Sequence, residues 1–558
     1  MYRSFRTVIL LFIITSLFSS ISIFSLHSEV KAGACNDPSP LNTDLLAIYI
    51  LAFDNAPQLQ NGTDNPYNLT LKYNPTVAYL RHQSAGLTDR QALILADLDG
   101  NADTKMLHIY NGVVTTIDCL PDSLGTLNPA IVEYDTTDGE TLGGFLLFAN
   151  DFYTANRITL SYIGHGTFFA PEIGQPHSEL FPETTALEAP FKVSGGVTPL
   201  PDKVDINPDY TDAHIPNSTS KSLITPYDLA LALAIAVESG AAPIDVLDVL
   251  HCFGASIEEL YELHPYATYT TASPNYAYFD PEMPGDAFAA FNPVGPLPDL
   301  AQTILTSYYN LITAPGSNNQ NPSVMIAVQN STLPAVKTAW DGVAEYLLNL
   351  PPATMTSIID NAYLTSAKYD TTYCEPEFEL TPPDALSEAV NFAEQMKGHN
   401  ATLDSLVDQA LIAMYGTIPF AQYVENGQPW YGGGLVSGPQ WMFQGEPYFS
   451  IFTPFQMWQD NNEQYHVWQA LWYTQETTLT FSGDITLNNP HPYQFIQRNA
   501  SHPSWADLVQ AYWETNSMQP GIDNSTVFCT PFFPELFQNH TAPPAILPLK
   551  LYLPIILQ

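Results

Sequence analysis

Residues 45–53 form nine consecutive apolar positions, Leu-Leu-Ala-Ile-Tyr-Ile-Leu-Ala-Phe, which stop abruptly at Asp54-Asn55. A run with no polar break suits a strand covered on both faces, and such strands belong to parallel sheets whose connecting helices lie on either side. The pattern recurs. Residues 92–96 are apolar, the turn-rich stretch from Asp97 to Asp103 follows, and residues 106–110 return as a second strand. A short helix is expected at residues 151–156, leading into a buried strand over 158–163 that ends at Gly164-His165-Gly166. Thr225 reads as an N-cap with Pro226 at the first helical position, opening a helix that runs to Ser239-Gly240. Then come a strand over 244–250, a helix over 256–263 and a strand over 267–272. Alternation of this kind predicts an α/β fold, a mostly parallel sheet covered by helices.

A chain of 558 residues exceeds what one hydrophobic core usually serves, so more than one domain is expected. Pro293, Gly295, Pro296 and Pro298 fall within six positions and break any helix or central strand, which places a linker there and closes a first domain at 35–295. Within it, residues 169–222 read as a long insert rich in Pro, Gly, Ser and Thr. Beyond the linker, 296–541 is a mixed α+β region: helices over 299–312, 332–348 and 385–396, then an aromatic, Gly-rich, β-containing segment over 415–481. An apolar tail over 542–558 carries four prolines, too many for a membrane helix, and suits an edge strand, a docking tail or an export tag. At the other end Arg3 and Arg6 precede an apolar stretch and Ala32-Gly33-Ala34, the small-x-small form of a signal peptidase site. Residues 1–34 therefore read as a signal peptide, with a retained membrane anchor as the alternative, and the protein as secreted or held at the cell surface.

Charge excludes some partners. With 57 Asp plus Glu against 16 Lys plus Arg, the net charge of −41 repels phosphate backbones and anionic membranes, so nucleic acid is not an expected partner. No integral membrane domain is expected beyond the signal segment. Five cysteines, an odd number in an exported chain, leave at least one thiol outside any internal disulfide set.

Two residues stand where chemistry is expected in such a fold. His165 lies between two glycines just after the 158–163 strand, and Cys252 lies just after the 244–250 strand with a helix to follow. In open α/β sheets the ligand crevice lies beyond the carboxyl ends of the strands. A helix N-terminus near a thiol lowers its pKa. Thiolate and imidazole together suffice for acyl transfer, and the backbone amides of Gly166 and Cys252 are the candidates to hold the oxyanion. A buried inert cysteine and an ordinary loop histidine are the plain alternative for each residue taken singly. A papain-like order, with Cys252 before His466 or His491, has no motif behind it.

The segments Tyr162-Ile163-Gly164-His165-Gly166 and His251-Cys252-Phe253-Gly254-Ala255-Ser256-Ile257-Glu258-Glu259-Leu260-Tyr261-Glu262-Leu263 resemble the His and Cys blocks of clostripain-type cysteine peptidases, relatives of the caspases. The resemblance extends over roughly residues 45–350, with residues 46–54, 223–229 and 270–273 similar to further family segments. It implies a caspase-like sheet, His165 and Cys252 as the catalytic dyad, a peptide or protein substrate, and Leu250 and Ser273 beside the substrate pocket. It also implies activation cleavage in the long insert, for which a solvated loop carrying Lys192, Lys203 and Lys221 is the even alternative. Family members that cut after Arg or Lys have Asp two residues before the nucleophile, where this chain has Leu250, so a non-basic P1 preference is expected. His251 reads as a packed or sheet-edge histidine.

No cofactor is needed for this chemistry. Asp97, Asp99, Asn101 and Asp103 alternate in one loop and could gather oxygen ligands round calcium, yet the glycine is misplaced for an EF-hand and a plain hairpin turn is the better reading. The resemblance implies calcium dependence but attaches it to no ligand set. The reading from another class is a secreted binding or adhesion protein on an inactive peptidase fold, which the aromatic C-terminal half and Leu250 favour.

Overall fold

The computed structural model describes residue 35 and residues 42–53, 69–98, 102–164, 224–251, 253–274, 277, 279–313, 323–366, 368–369, 386–424, 448–453, 477–481, 485–489, 493–496 and 503–515. The chain divides into two compact units, Met1–Asp37 and Pro38–Gln558. In the first, Cys35 is the described residue and is disulfide-bonded. The second holds every element named below.

Its centre is a nine-stranded sheet. The strands are β1 (Asn42–Ala52), β2 (Arg90–Asp97), β3 (Lys105–Tyr110), β4 (Val113–Ile117), β5 (Thr154–Gly164), β6 (Ile244–Leu250), β7 (Ala267–Ala272), β8 (Ser323–Gln329) and β9 (Phe420–Val424). They lie in the order β9-β8-β7-β6-β5-β1-β2-β3-β4. Five of them, β2, β1, β5, β6 and β7, run parallel side by side; β3, β4, β8 and β9 join antiparallel neighbours. β1 lies towards the middle of this order, and residues Leu46 to Phe53 are almost wholly buried, which is why the sequence there could not carry a polar face. The strands after the proline-rich 293–298 segment, β8 and β9, complete this same sheet.

Eleven helices are found among the described residues: α1 (Thr70–Ser84), α2 (Gly139–Phe152), α3 (Pro226–Glu238), α4 (Ile257–Leu263), α5 (Met283–Ala290), α6 (Leu297–Thr313), α7 (Leu333–Leu348), α8 (Pro352–Thr365), α9 (Ala389–Gln395), α10 (Ala401–Tyr415) and α11 (Trp505–Thr515). Register shows which face each group covers. Tyr49, Ser161, Asp248 and Thr271 are cross-strand partners and share a face; the Tyr49 hydroxyl donates to the Pro284 carbonyl of α5 at 3.1 Å. The next row, Ile50, Tyr162, Val249 and Ala272, points the other way, and the Tyr162 hydroxyl donates to the Thr136 carbonyl just before α2 at 3.2 Å. So α1, α5 and α6 cover one face and α2, α3 and α4 the other, as alternating connections of parallel strands require.

The helix starts follow from capping residues. Asp138 accepts from the Thr141 amide at 2.7 Å, Thr225 from the Asp228 amide at 3.1 Å and Ser256 from the Glu259 amide at 3.2 Å. The helix expected at 151–156 lies earlier, as α2, because Leu142, Phe145, Leu146 and Ala149 recur at helical spacing and are buried, and the strand begins at once after Tyr153. In the C-terminal part Trp340, Phe392 and Trp505 from α7, α9 and α11 pack ring to ring, Trp340 and Trp505 at 4.9 Å. No helix of the described residues is long and apolar enough to cross a membrane.

Candidate functional site

Adjacent parallel strands β5 and β6 end side by side. Their register pairs Ile163 with Leu250, so Gly164, the last residue of β5, and His251, the first residue after β6, lie at the carboxyl edge of the sheet, directly before His165 and Cys252 in the chain. His165, Gly166 and Cys252 themselves lie outside the described residues, as do His466, His491, Asp99 and Asn101.

The turn after β6 is held from several sides. His251 is 1% exposed, its Nε2 lies 2.9 Å from Glu259 Oε1 on α4, and its ring meets Tyr162 edge-on at 6.3 Å. His251 thus faces α4, on the same side of the sheet as Val249, while Leu250 belongs to the row of Asp248. Phe253, fully buried, has φ +62°, a left-handed conformation that costs a non-glycine residue on the order of 1–2 kcal/mol. Backbone bonds fix the next residues: the Ala255 amide donates to the Ser273 carbonyl at 2.9 Å, and the Ser450 amide to the Ala255 carbonyl at 3.0 Å. The Phe452 amide donates to Glu258 Oε1 at 3.0 Å, and Gln494 donates to Glu262. A strand from the C-terminal region, Ser450–Phe452, is therefore seated on the turn that comes after residue 252.

Buried acids surround this frame. Burial pushes the Glu259 carboxyl up, with His251 drawing it back; burial likewise takes Glu262 to about 7, against the two Gln494 hydrogen bonds. Asp248, in the middle of β6, is pushed up to about 6 by burial, tempered by hydrogen bonds from Thr271 (2.7 Å) and Ser161. Leu250 and Ser273, expected beside the substrate pocket, are buried at 3% and 0% exposure at the ends of β6 and β7.

Of the loop expected to gather oxygen ligands, Asp97 and Asp103 are described, and the structure adds a third carboxylate that nothing in the local sequence signals. One ligand oxygen each from Asp97, Asp103 and Glu133 lie within 4.8 Å of one another. Burial raises the Glu133 carboxyl. Sequence reading also missed Glu259; an acid eight residues after His251 inside a helix otherwise packed on the core was the available signal.

No protein-family model and no curated protein matches the chain. Solved structures do. A secreted C11 cysteine protease from Bacteroides thetaiotaomicron, in complex with an irreversible peptide inhibitor, aligns with a TM-score of 0.46 at 15% identity over 78% of this chain and 97% of that one. An inactive zymogen C11 protease from Parabacteroides distasonis gives 0.46 at 13% identity over 74% and 93%. A clostripain from Bacteroides thetaiotaomicron in complex with a peptide inhibitor gives 0.29 at 15% over 40% and 83%. All three are C11 or clostripain cysteine proteases, matched at 13–15% identity and with TM-scores below 0.5.

Proposed function

We propose that the protein is a secreted cysteine endopeptidase in which Cys252 is the nucleophile and His165 its acid and base. The observation that carries this reading is the pairing of Ile163 with Leu250, because it sets side by side the two strands to which the resembling His and Cys segments are joined. The cysteine inventory supports it. Cys119, like Cys35, is disulfide-bonded, so neither is available as a thiolate and the candidates narrow to Cys252, Cys374 and Cys529. Disulfides also fit an oxidising, extracellular compartment.

In this mechanism the Cys252 thiolate forms a bond to the scissile carbonyl carbon, and the oxyanion accepts from the amides of Gly166 and Cys252. Collapse breaks the C–N bond as His165 gives its proton to the leaving amine. Water then attacks the thioester while His165 takes its proton, and the sulfur leaves with the carboxylic product released. The buried His251–Glu259 contact and the strained Phe253 hold the turn that presents the nucleophile. Leu250 supplies no carboxylate for a basic P1 side chain, so cleavage after residues other than Arg and Lys is expected.

A mixture of unstructured peptides incubated with the full chain and with Cys252→Ala tests both parts. The proposal expects cleavage by the wild type alone, with Arg and Lys absent from the favoured P1 set. Cleavage by both proteins alike would remove Cys252 from the chemistry; no cleavage by either would leave the binding-protein reading; and strong Arg or Lys selectivity would overturn the role given to Leu250.

A further inference from the structure

Helix α4 is seven residues long and carries three acids, Glu258, Glu259 and Glu262, all buried, at 1%, 0% and 8% exposure. Nothing in the helix itself favours them. Glu258 and Glu262 stand four apart, where like charges repel, and a carboxylate taken out of water is costly unless a donor meets it. What each acid holds explains its place. Glu259 holds His251. The other two hold the C-terminal region: Glu258 Oε1 accepts from the Phe452 amide at 3.0 Å, and Glu262 accepts from the Gln494 amide and, at 2.9 Å, from the Gln494 side chain.

The Phe452 amide belongs to the strand Ser450–Phe452, which is anchored on its far side. Ile451 lies opposite Ser387 and Phe452 opposite Leu386, the Ala389 amide donates to the Phe449 carbonyl at 3.1 Å, and the Ser387 and Thr453 hydroxyls are bonded at 2.8 Å. Its near side meets the turn after β6. Ser450 bridges Ser256, and its amide supplies the Ala255 carbonyl at 3.0 Å, while the Ala255 amide is held by the Ser273 carbonyl just after β7 at 2.9 Å. Ala255 is thus gripped between the end of the sheet and the C-terminal strand. Two residues before it stands Phe253, whose φ of +62° persists only where the surroundings over-determine it.

We infer that Glu258 is a positioning residue for the nucleophile: through the Phe452 amide it seats the strand Ser450–Phe452 against Ala255, and that strand holds the turn containing Cys252 in its reactive conformation. The C-terminal region then completes the candidate active site instead of standing beside it. The inference rests on the reading of Cys252 as nucleophile. Without the Glu258 carboxylate the Phe452 amide is left buried with no acceptor and the strand is free to shift. Phe253 can then relax and carry the thiol with it, and a displacement of about 1 Å at a reacting atom can cost about 10²-fold in rate.

The test compares full-length wild type with Glu258→Met, which fills the same space without an acceptor, and Glu258→Gln, which keeps an oxygen for the Phe452 amide. On each are read kcat and KM for a peptide the wild type cleaves, the pH dependence of Cys252 alkylation by iodoacetamide, and the urea midpoint. For Glu258→Met the expected result is a kcat lower by about tenfold or more with KM within about twofold, and an alkylation curve moved up towards the ordinary thiol range near about pH 8.5. Glu258→Gln recovers most of both. Glu258→Asp, one methylene short of the amide, carries the same expectation as Glu258→Met where that variant fails to fold. A lower urea midpoint with kcat and the alkylation curve at wild-type values would show a merely structural role and overturn the inference while the peptidase reading stands. Glu258→Gln as impaired as Glu258→Met would overturn the amide contact as the means. A wild type that neither cleaves peptides nor labels Cys252 below the ordinary thiol range would remove the peptidase reading and the inference with it.

Discussion

A Cβ added to Gly254 would lie 2.8 Å from Val249 Cγ1 and 3.2 Å from His251 Cε1, closer than packed side chains approach. The residue two positions after Cys252 must therefore be glycine for the turn to sit down on β6 and on the His251 ring. Gly254→Ala is expected to destabilise the protein by about 1–3 kcal/mol, the usual cost of forcing extra volume into a filled core. Urea unfolding checks it, and a variant as stable as the wild type would show that the turn has room to shift. Sequence reading singled out residues with a distinctive local setting, a histidine between glycines and a cysteine at a strand end, and both lie outside the described residues. Glu259 and Glu133 were not legible in that way. Each acquires its meaning from a contact distant in sequence, with His251 across a turn for the first and with Asp97 and Asp103 thirty or more positions back for the second.

At the level of elements, strands were the most legible feature because burial on both faces leaves no choice of composition. β6 and β7 match the expected bounds, and β1 carries the expected apolar run from Leu45 to Ala52. Helix starts were legible where a cap was present. Thr225 caps α3, with Pro226 at its first turn, and the Thr225 hydroxyl donates in return to the Asp228 carboxylate at 2.6 Å. Thr225→Ala should cost about 1 kcal/mol, as loss of an N-cap usually does, while Thr225→Ser should cost little. Thermal melting of both variants decides, and equal losses would mean that packing of the Thr225 methyl, not the cap, matters. What the pattern could not give was where the sheet ends. β8 and β9 are separated from β7 by prolines and helices, and only pairing across the sheet, Ile326 with Ala272 and Ala327 with Phe420, reveals that they belong to it. α9 likewise begins later than its apolar pattern suggests, because residues 386–388 are drawn into a strand with Ser450–Phe452.

For the molecule as a whole, the unusual quantity is the amount of acid held out of water. Burial pushes Asp228 to about 8, with Asp138 and Asp135 adding to it; Glu388 also to about 8, Glu262 to about 7 and Asp248 to about 6. Each of these carboxyls keeps its proton in the folded state after the unfolded chain has lost it. Their contribution is complete below the ordinary carboxylate range and is lost progressively as pH rises from about 4 to each group's folded value between 6 and 8, at about 1.4 kcal/mol per pH unit for each proton held. His108 works the other way: burial lowers it to about 4, so its contribution falls as pH drops from about 6.5 towards that value. Four carboxyls outweigh one imidazole, and the net charge of −41 adds repulsion at neutral pH. Stability measured by denaturant between pH 4 and 9 is expected to be highest at the acid end, near about pH 4, and to decline toward pH 8, whereas a maximum at pH 7 to 8 would show that these acids are solvated or cation-paired. The function rests on a narrower point, that Cys252 is activated by His165. The direct measurement is the rate of alkylation of Cys252 by iodoacetamide as a function of pH, read by peptide mass mapping, in the wild type and in His165→Ala. The proposal predicts rapid labelling already below the ordinary thiol range and a loss of that low-pH reactivity in the variant. Labelling of Cys252 that rises only near about pH 8.5, or that is the same in both proteins, would contradict it.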